Sequence, residues 1–197
     1  MRLSGFNDRK SVLIVSSSRS TAQSISSMLS SLAFSRVDTA SSAGEARRAL
    51  VDQAADIVII NCPLSDEFGT ELAVEASEKN DCGVLLFVRA ELFDGICRKV
   101  EQAGVLTIVK PAGRHAVLQA LYLLCAAVSK IKAYKQKSET LEAKMREIRL
   151  VNRAKLLLVE RLKMSEADAH RYIEKAAMDG CIKRKEIAEK IIRTYED

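Results

Sequence analysis

Short apolar runs alternate with helical patterns over the first 128 residues. Continuous runs rich in Val, Ile and Leu predict strands, and the apolar residues between them recur three or four positions apart, which predicts amphipathic helices. The predicted strands are 11–15, 36–39, 56–60, 84–88 and 105–109, and the predicted helices are 21–32, 43–54, 68–79 and 93–103. Continuous apolar strands between helices are typical of a parallel sheet covered on both faces, so we expect a five-stranded, doubly wound α/β domain.

A long helical pattern follows Pro111 and extends to about Leu162 without another proline. Within it, one face repeats with spacings of three and four, and its members are Ile131, Tyr134, Ser138, Leu141, Met145, Ile148 and Asn152. This repeat predicts a two-stranded coiled coil, and hence a homodimer, through residues 129–152. The alternative is a long helix that packs on its own chain.

The last part of the chain reads as two further helices. Ser165 and Asp168 have the spacing of an N-terminal cap, and Gly180 follows as a stop signal. The sequence therefore predicts a small three-helix unit. The predicted boundaries are 1–126 for the α/β domain, 127–152 for the coiled-coil linker and 153–197 for the three-helix domain.

Composition excludes several classes of protein. The chain is 48% hydrophobic and 29% charged, which is globular. The longest apolar run, 116–128, is short for a membrane span, and the first residues, MRLSGFNDRKS, show no apolar signal segment. Five cysteines without a CxxC pair and only two histidines predict no metal site, so we expect a cytoplasmic protein with no cofactor and no membrane partner.

Positive charge is concentrated at the C-terminal end. Residues 1–128 carry 13 basic and 14 acidic side chains, whereas residues 129–197 carry 18 basic and 12 acidic side chains. A basic helical unit beside a near-neutral domain is typical of polyanion binding. A solvated helix surface would give the same count, because lysine and arginine are good helix formers.

Residues 10–128 resemble a response-regulator receiver domain, which has a flavodoxin-like fold. The motifs that carry the resemblance are VLIV, DIVII, Gly69, AGV at 103–105 and VKP at 109–111. In that family an acidic pair binds Mg²⁺, an aspartate accepts phosphate, and a hydroxyl residue and a lysine contact the phosphoryl group. The matching positions in this chain are Ser16 and Ser17, Asn61, Val88 and Lys110.

These replacements remove the chemistry of phosphorylation. An acyl phosphate requires a carboxylate nucleophile, and Mg²⁺ prefers anionic oxygen ligands. We therefore expect a pseudo-receiver that lacks the phosphoacceptor, in which Lys110 pairs with a carboxylate such as Asp66. A partner protein or a ligand would act on it in place of phosphate.

Residues 148–195 resemble the ANTAR family of transcription-antitermination regulators. The matching positions are Ala154, Lys155, Leu157, Glu160, Arg161, Leu162, Ser165, Glu166, Ala169, Ala177, Met178, Asp179 and Ala188. The resemblance implies binding to hairpin RNA in nascent leader transcripts, which prevents a terminator hairpin from forming. The alternative is a DNA-binding or protein-interaction response regulator dimerised by its coiled coil.

Basic side chains on the three-helix unit are the candidate RNA contacts, because they can reach phosphates beside a recognised loop. They are Arg153, Lys155, Arg161, Arg171, Lys175, Lys183, Arg184 and Lys185. Ala177, Met178 and Tyr172 are expected to pack in the core. Nothing in the sequence pairs a nucleophile with a base, so we do not expect an enzyme.

Overall fold

The computed structural model describes residues 10–30, 32 and 34–196. The expectation that the chain starts without a signal segment therefore lies largely outside the described residues, as does Asp197 at the end of the predicted three-helix domain. The chain divides into two compact units, Met1–Lys132 and Ala133–Asp197.

Five strands form one parallel sheet in the N-terminal unit, with the order β2-β1-β3-β4-β5. The strands are β1 Ser11–Ser16, β2 Arg36–Ala40, β3 Ile57–Asn61, β4 Gly83–Arg89 and β5 Leu106–Lys110. The doubly wound α/β fold is confirmed, and each strand starts within one residue of its predicted start.

The helices also follow the predicted order. They are α1 Arg19–Leu29, α2 Ala43–Asp52, α3 Thr70–Glu78, α4 Phe93–Val100, α5 Arg114–Leu162, α6 Glu166–Asp179 and α7 Arg184–Tyr195. A short 3-10 turn, Ala90–Leu92, precedes α4. The ends move by a few residues: α1 stops at Leu29 rather than Leu32, although Leu32 is still buried.

Each face of the sheet has its own apolar core. Alternate residues of a strand point to opposite faces, so Leu13 and Val15 lie in the core under α2, α3 and α4. Ile14 lies in the core formed with α1 and the start of α5, where Leu29 and Leu121 are fully buried. Burial on both faces explains why the strand sequences are continuous rather than alternating.

Helix α5 corrects one expectation from the sequence. Among the described residues it is long and apolar enough to span a membrane by length and composition, whereas the sequence analysis expected no such stretch. In the N-terminal unit, however, its apolar residues Val117, Leu121 and Cys125 are fully buried against the sheet. A core helix meets the same criterion of length and hydropathy.

Two contacts fix the sheet-packed part of α5. A side-chain Cβ at Gly83, the first residue of β4, would lie 2.5 Å from Cγ2 of Val128, so only glycine allows this approach. Close to the end of the unit, the Lys132 ammonium donates to the Asp56 carboxylate, and Asp56 also accepts from the backbone N–H of Ser11 at 2.8 Å. Asp56 thus connects the starts of β1 and β3 to α5.

The C-terminal unit has a small core made mainly of alanine and branched aliphatic residues. Its buried members are Ala154, Leu158, Ala169, Ile173, Ala177, Ile187, Ala188 and Ile191. Small residues at the helix contacts allow the three helices to approach closely. The Ser165 side chain accepts from the N–H of Asp168 at 3.1 Å, as the capping pattern predicted.

Two core predictions in this unit are wrong. Met178 is 76% exposed and Tyr172 is 48% exposed, whereas Ala177 is buried as expected. The core face of α6 carries Ala169, Ile173 and Ala177 at intervals of four. Met178 and Tyr172 each lie one position from that row, which turns their side chains about 100° away from the core.

Candidate nucleic-acid interface and receiver site

The carboxyl ends of β1, β3 and β5 bring three of the predicted receiver residues together. Lys110 donates to Oδ1 of Asn61 at 2.9 Å, and Nδ2 of Asn61 donates to Oγ of Ser16 at 3.1 Å. Ser16 in turn donates to the backbone carbonyl of Ser18 at 3.2 Å. Parallel sheets commonly bind ligands at this edge. Here the edge is occupied by a chain of hydrogen bonds between neutral groups, to which one ammonium group, that of Lys110, also donates.

Lys110 does not pair with Asp66, so that prediction is wrong. Its ammonium also donates to the backbone carbonyl of Cys62, and burial lowers its pKa, as does the positive charge of Arg89. Asp66 instead accepts from the backbone N–H groups of Gly44 and Ala43 at 2.8 and 2.9 Å. These hydrogen bonds lower the Asp66 pKa, as expected for a carboxylate at a helix N-terminus.

The other two predicted receiver residues contribute differently. Val88 is fully buried in the core and presents no polar atom. Ser17 is exposed, and its hydroxyl donates to the backbone carbonyl of Pro63 at 3.3 Å. In the part of the chain that the structure describes, no group of three or more His, Cys, Asp or Glu side chains could hold a metal ion.

Most of the predicted RNA contacts form ion pairs within the C-terminal unit. Five basic residues have acidic partners: Arg153 with Glu196, Lys155 with Glu166, Arg171 with Asp168, Arg184 with Glu174 and Lys185 with Glu189. Within the described residues, Arg161, Lys175 and Lys183 have no ion pair. These three side chains keep their full charge available for a phosphate, whereas the paired ones would have to exchange partners.

The seven-residue repeat in α5 leaves an exposed apolar stripe. Its large apolar members are between 53% and 61% exposed: Ile131, Tyr134, Leu141, Met145 and Ile148. Single exposed apolar residues are ordinary on a protein surface, but five at the spacing of a coiled-coil seam are typical of a helix that packs on a partner.

A cleft of about 410 Å³ opens in the C-terminal unit on the same side of α5. We call it the α5 cleft, and its lining residues are Lys144, Glu147, Ile148, Val151, Asn152, Lys155, His170 and Arg184. Of this set, only Lys155 and Arg184 were predicted from the sequence as RNA contacts. The other lining residues on α5 follow a pattern that the sequence shows. Two rows with a spacing of four residues start at Lys144 and at Glu147.

Comparison with known proteins agrees with this division of the chain. The family model described as "ANTAR domain" matches residues 139–192. The N-terminal unit is similar to the signal receiver domain of an HD-domain-containing protein from Pseudomonas fluorescens Pf-5, with a TM-score of 0.58 and 18% identity over 68% of this chain and 98% of that one. A segment that matches the ANTAR domain model therefore follows a unit with the receiver fold, and both resemblances are confirmed.

Two further similarities agree with this arrangement of the chain. A CheY-like receiver domain protein from Methanospirillum hungatei JF-1 matches with a TM-score of 0.54 and 21% identity, over 61% of this chain and 97% of that one. The Transcriptional regulatory protein PdtaR of Mycobacterium tuberculosis is 27% identical over 139 residues, which cover 71% of this chain and 68% of PdtaR.

Proposed function

We propose that this protein is an RNA-binding transcription antitermination regulator that binds hairpin loops of leader transcripts through its C-terminal helices. The observation that carries the proposal is the ANTAR-domain match over 139–192. The matched segment contains Arg161, Lys175 and Lys183, the three candidate contacts without an ion pair among the described residues, and it carries 13 basic and 10 acidic side chains. Basic side chains beside a recognised loop are what RNA binding requires.

The arrangement of charge at the start of α7 supports phosphate binding. Lys183, Arg184 and Lys185 occupy the cap and first turn of this helix. Unpaired backbone N–H groups and the positive end of the helix dipole lie in the same turn and attract anions. Lys183 has no acidic partner among the described residues, so we assign it a phosphate contact.

The protein acts as a homodimer through residues 129–152. A dimer would bury the exposed stripe that contains Leu141 and Met145, and it would place two ANTAR domains on one transcript. The N-terminal unit is not switched by an acyl phosphate, because Asn61 lacks a nucleophilic carboxylate. A partner protein or a ligand acts on this unit instead, and the protein works in the cytoplasm, where transcripts are made.

A competition experiment tests RNA binding. The full chain is incubated with a labelled pool of stem-loop RNAs that share one stem and have randomised loops, and duplex DNA of the same length is added as competitor. We expect RNA binding to survive an excess of duplex DNA and to select a subset of loops. Equal competition by duplex DNA would favour the alternative of a DNA-binding regulator.

A further inference from the structure

The α5 cleft has polar and apolar parts in an ordered arrangement. One row on α5 consists of Lys144, Ile148 and Asn152, each four residues from the next. The neighbouring row consists of Glu147, Val151 and Lys155 with the same spacing. Residues four apart lie above each other on a helix. Each row therefore presents one lysine and one aliphatic side chain, together with an amide in the first row and a carboxylate in the second.

The aliphatic and polar side chains suit a single planar base. Ile148 and Val151 provide an apolar surface against which the face of a base can pack. The amide of Asn152 is exposed and makes no hydrogen bond within the described residues, so it can both donate to and accept from a base edge. The Glu147 carboxylate accepts only, which favours a base with an amino group over uracil, whose edge offers a single N–H donor between two carbonyls.

Three side chains that line the cleft have carboxylate neighbours. Glu174 Oε1 lies 3.3 Å from Nε2 of His170 and 3.5 Å from Nη1 of Arg184, so one carboxylate is close to side chains from two helices. Lys155 is oriented by Glu166 at 3.1 Å. Lys144, which has no ion pair among the described residues, can contact a phosphate beside an inserted nucleotide, while the imidazole can stack on a base.

We propose that the α5 cleft receives one unstacked base of an RNA loop and so supplies the loop specificity of the ANTAR domain. This inference rests on the proposed RNA-binding function. The phosphate contacts, such as Lys183, would bind any RNA, whereas Asn152 and Glu147 would distinguish bases. The cleft has the size usual for small-molecule sites, which begin at about 300 Å³.

The base site and the coiled coil would use two of the same residues. Ile148 and Asn152 belong to the seven-residue repeat as well as to the α5 cleft, so a seam that reached Asn152 would cover the cleft. If the cleft takes a base, the coil ends before Ile148, so the dimer uses only the earlier part of the 129–152 repeat. A second copy of α5 is therefore the alternative occupant, and the exchange of Asn152 for leucine distinguishes the two because leucine strengthens a seam and removes the base contact.

The test compares two stem-loop RNAs that share one stem: a loop selected from the randomised pool, and a loop of the same length made of abasic sugars. Wild-type full chain should bind the selected loop about tenfold or more tightly than the abasic loop, and tenfold corresponds to about 1.4 kcal/mol. In Asn152→Leu this ratio should fall to about one, with binding to the abasic loop and the sedimentation of the dimer unchanged. Lys183→Ala should weaken binding to both RNAs by the same factor.

Glu147→Gln provides a second, milder variant. Wild type should bind a loop less tightly when uracil replaces its preferred base, and the glutamine variant should reduce this discrimination, because an amide can donate to a carbonyl. Thermal unfolding of both variants checks that the helices remain intact.

Three results would overturn the inference, and they are distinguishable. If Asn152→Leu keeps the wild-type ratio, the base lies elsewhere while the proposed function stands. If Asn152→Leu tightens the dimer, the coil covers the cleft. If wild type prefers no stem-loop over duplex DNA, the proposed function fails, and the base site fails with it.

Discussion

Asn61, the last residue of β3, forms hydrogen bonds through both ends of its side-chain amide. It accepts from Lys110 and donates to Ser16, so the position at the end of β3 is occupied by a neutral group with two partners. A neutral amide carries no negative charge that a divalent cation would balance, and its oxygen is a poor nucleophile. The local chemistry therefore favours a fixed, rather than a phosphorylated, receiver edge.

Asn61→Asp alone should not make the protein accept phosphate. Ser16 and Ser17 would still offer hydroxyl groups where Mg²⁺ prefers carboxylates. The measurement is intact mass after incubation with a small phosphodonor and Mg²⁺, and neither wild type nor Asn61→Asp should gain a phosphate. The variant that combines Ser16→Asp, Ser17→Asp and Asn61→Asp is the positive control. A phosphate on the wild-type protein would refute the assignment.

Asp56 is a structural anchor that the sequence did not identify. Burial opposes its ionisation, but hydrogen bonds from Lys132 and Ser11 outweigh burial and lower its pKa below 3.8. A carboxyl group with a lowered folded-state pKa stabilises the fold above the unfolded-state pKa, and this contribution is lost as the pH falls through the folded-state pKa.

Asp56→Asn should lower the local stability of β1 and β3 by about 1–2 kcal/mol at neutral pH, since it removes a charged hydrogen-bond acceptor. The difference from wild type should shrink as the solution is acidified below pH 3.8. Amide hydrogen exchange in the two strands measures it, with Asp52→Asn as a matched control, because Asp52 lies exposed at the end of α2 and has no ion pair among the described residues. A difference that stayed constant down to acid pH would contradict the role given to the charge.

At the scale of elements, helix α5 combines three environments. Its first part is buried against the sheet, its middle part exposes the coiled-coil repeat, and its last part packs in the core of the C-terminal unit. These environments explain its composition: broad apolar coverage at first, then a narrow stripe with charged flanks, then alanine and leucine. The helix therefore contributes residues to two separate apolar cores, one in each unit.

Leu141→Lys should convert the proposed dimer to monomers. Two symmetry-related ammonium groups would face each other in the seam, where charges are poorly solvated. Sedimentation or light scattering measures the mass in solution. Ala143→Lys adds the same charge outside the repeat and should remain dimeric. If Leu141→Lys were also dimeric, the dimer interface would have to lie away from the 129–152 repeat.

The strands and helices could be predicted because their signals are local. A continuous run such as DIVII needs only burial on both faces to become β3, and helix periodicity needs only one core-facing row. The wrong partner for Asp66, and ion pairs that the sequence did not predict, come from contacts between distant residues. Asp66 binds the start of α2 instead of Lys110, and Arg153 pairs with Glu196, which is 43 positions away. Side-chain partners of this kind are fixed by tertiary structure.

At the scale of the whole molecule, charge is divided between the units. Residues 129–197 carry 18 basic and 12 acidic side chains, so positive charge stays in excess even if every acidic side chain there forms an ion pair. Binding to RNA releases counterions from the phosphates, so the affinity should depend steeply on salt. If about five cations contact phosphates, log K should fall against log salt with a slope of about −3 to −4.

Lys183→Ala should flatten this slope by about 0.7 and weaken binding to all RNAs alike, because a phosphate contact carries no sequence information. Titrations of one hairpin RNA at several salt concentrations measure the slope. Lys99→Ala removes the same charge from α4 in the N-terminal unit and should leave the slope unchanged. An equal effect of both variants would mean that net charge, and not a defined contact, determines affinity.

The most direct test of the central claim is transcription past a terminator. RNA that co-purifies with the protein is sequenced, and a leader recovered in this way is placed before its own terminator in a single-round transcription reaction with purified polymerase. We predict that the full chain raises read-through in proportion to its occupancy of the hairpin RNA, and that Lys183→Ala shifts the response to higher protein concentration. Hairpin binding at full occupancy with unchanged termination would contradict an antitermination function.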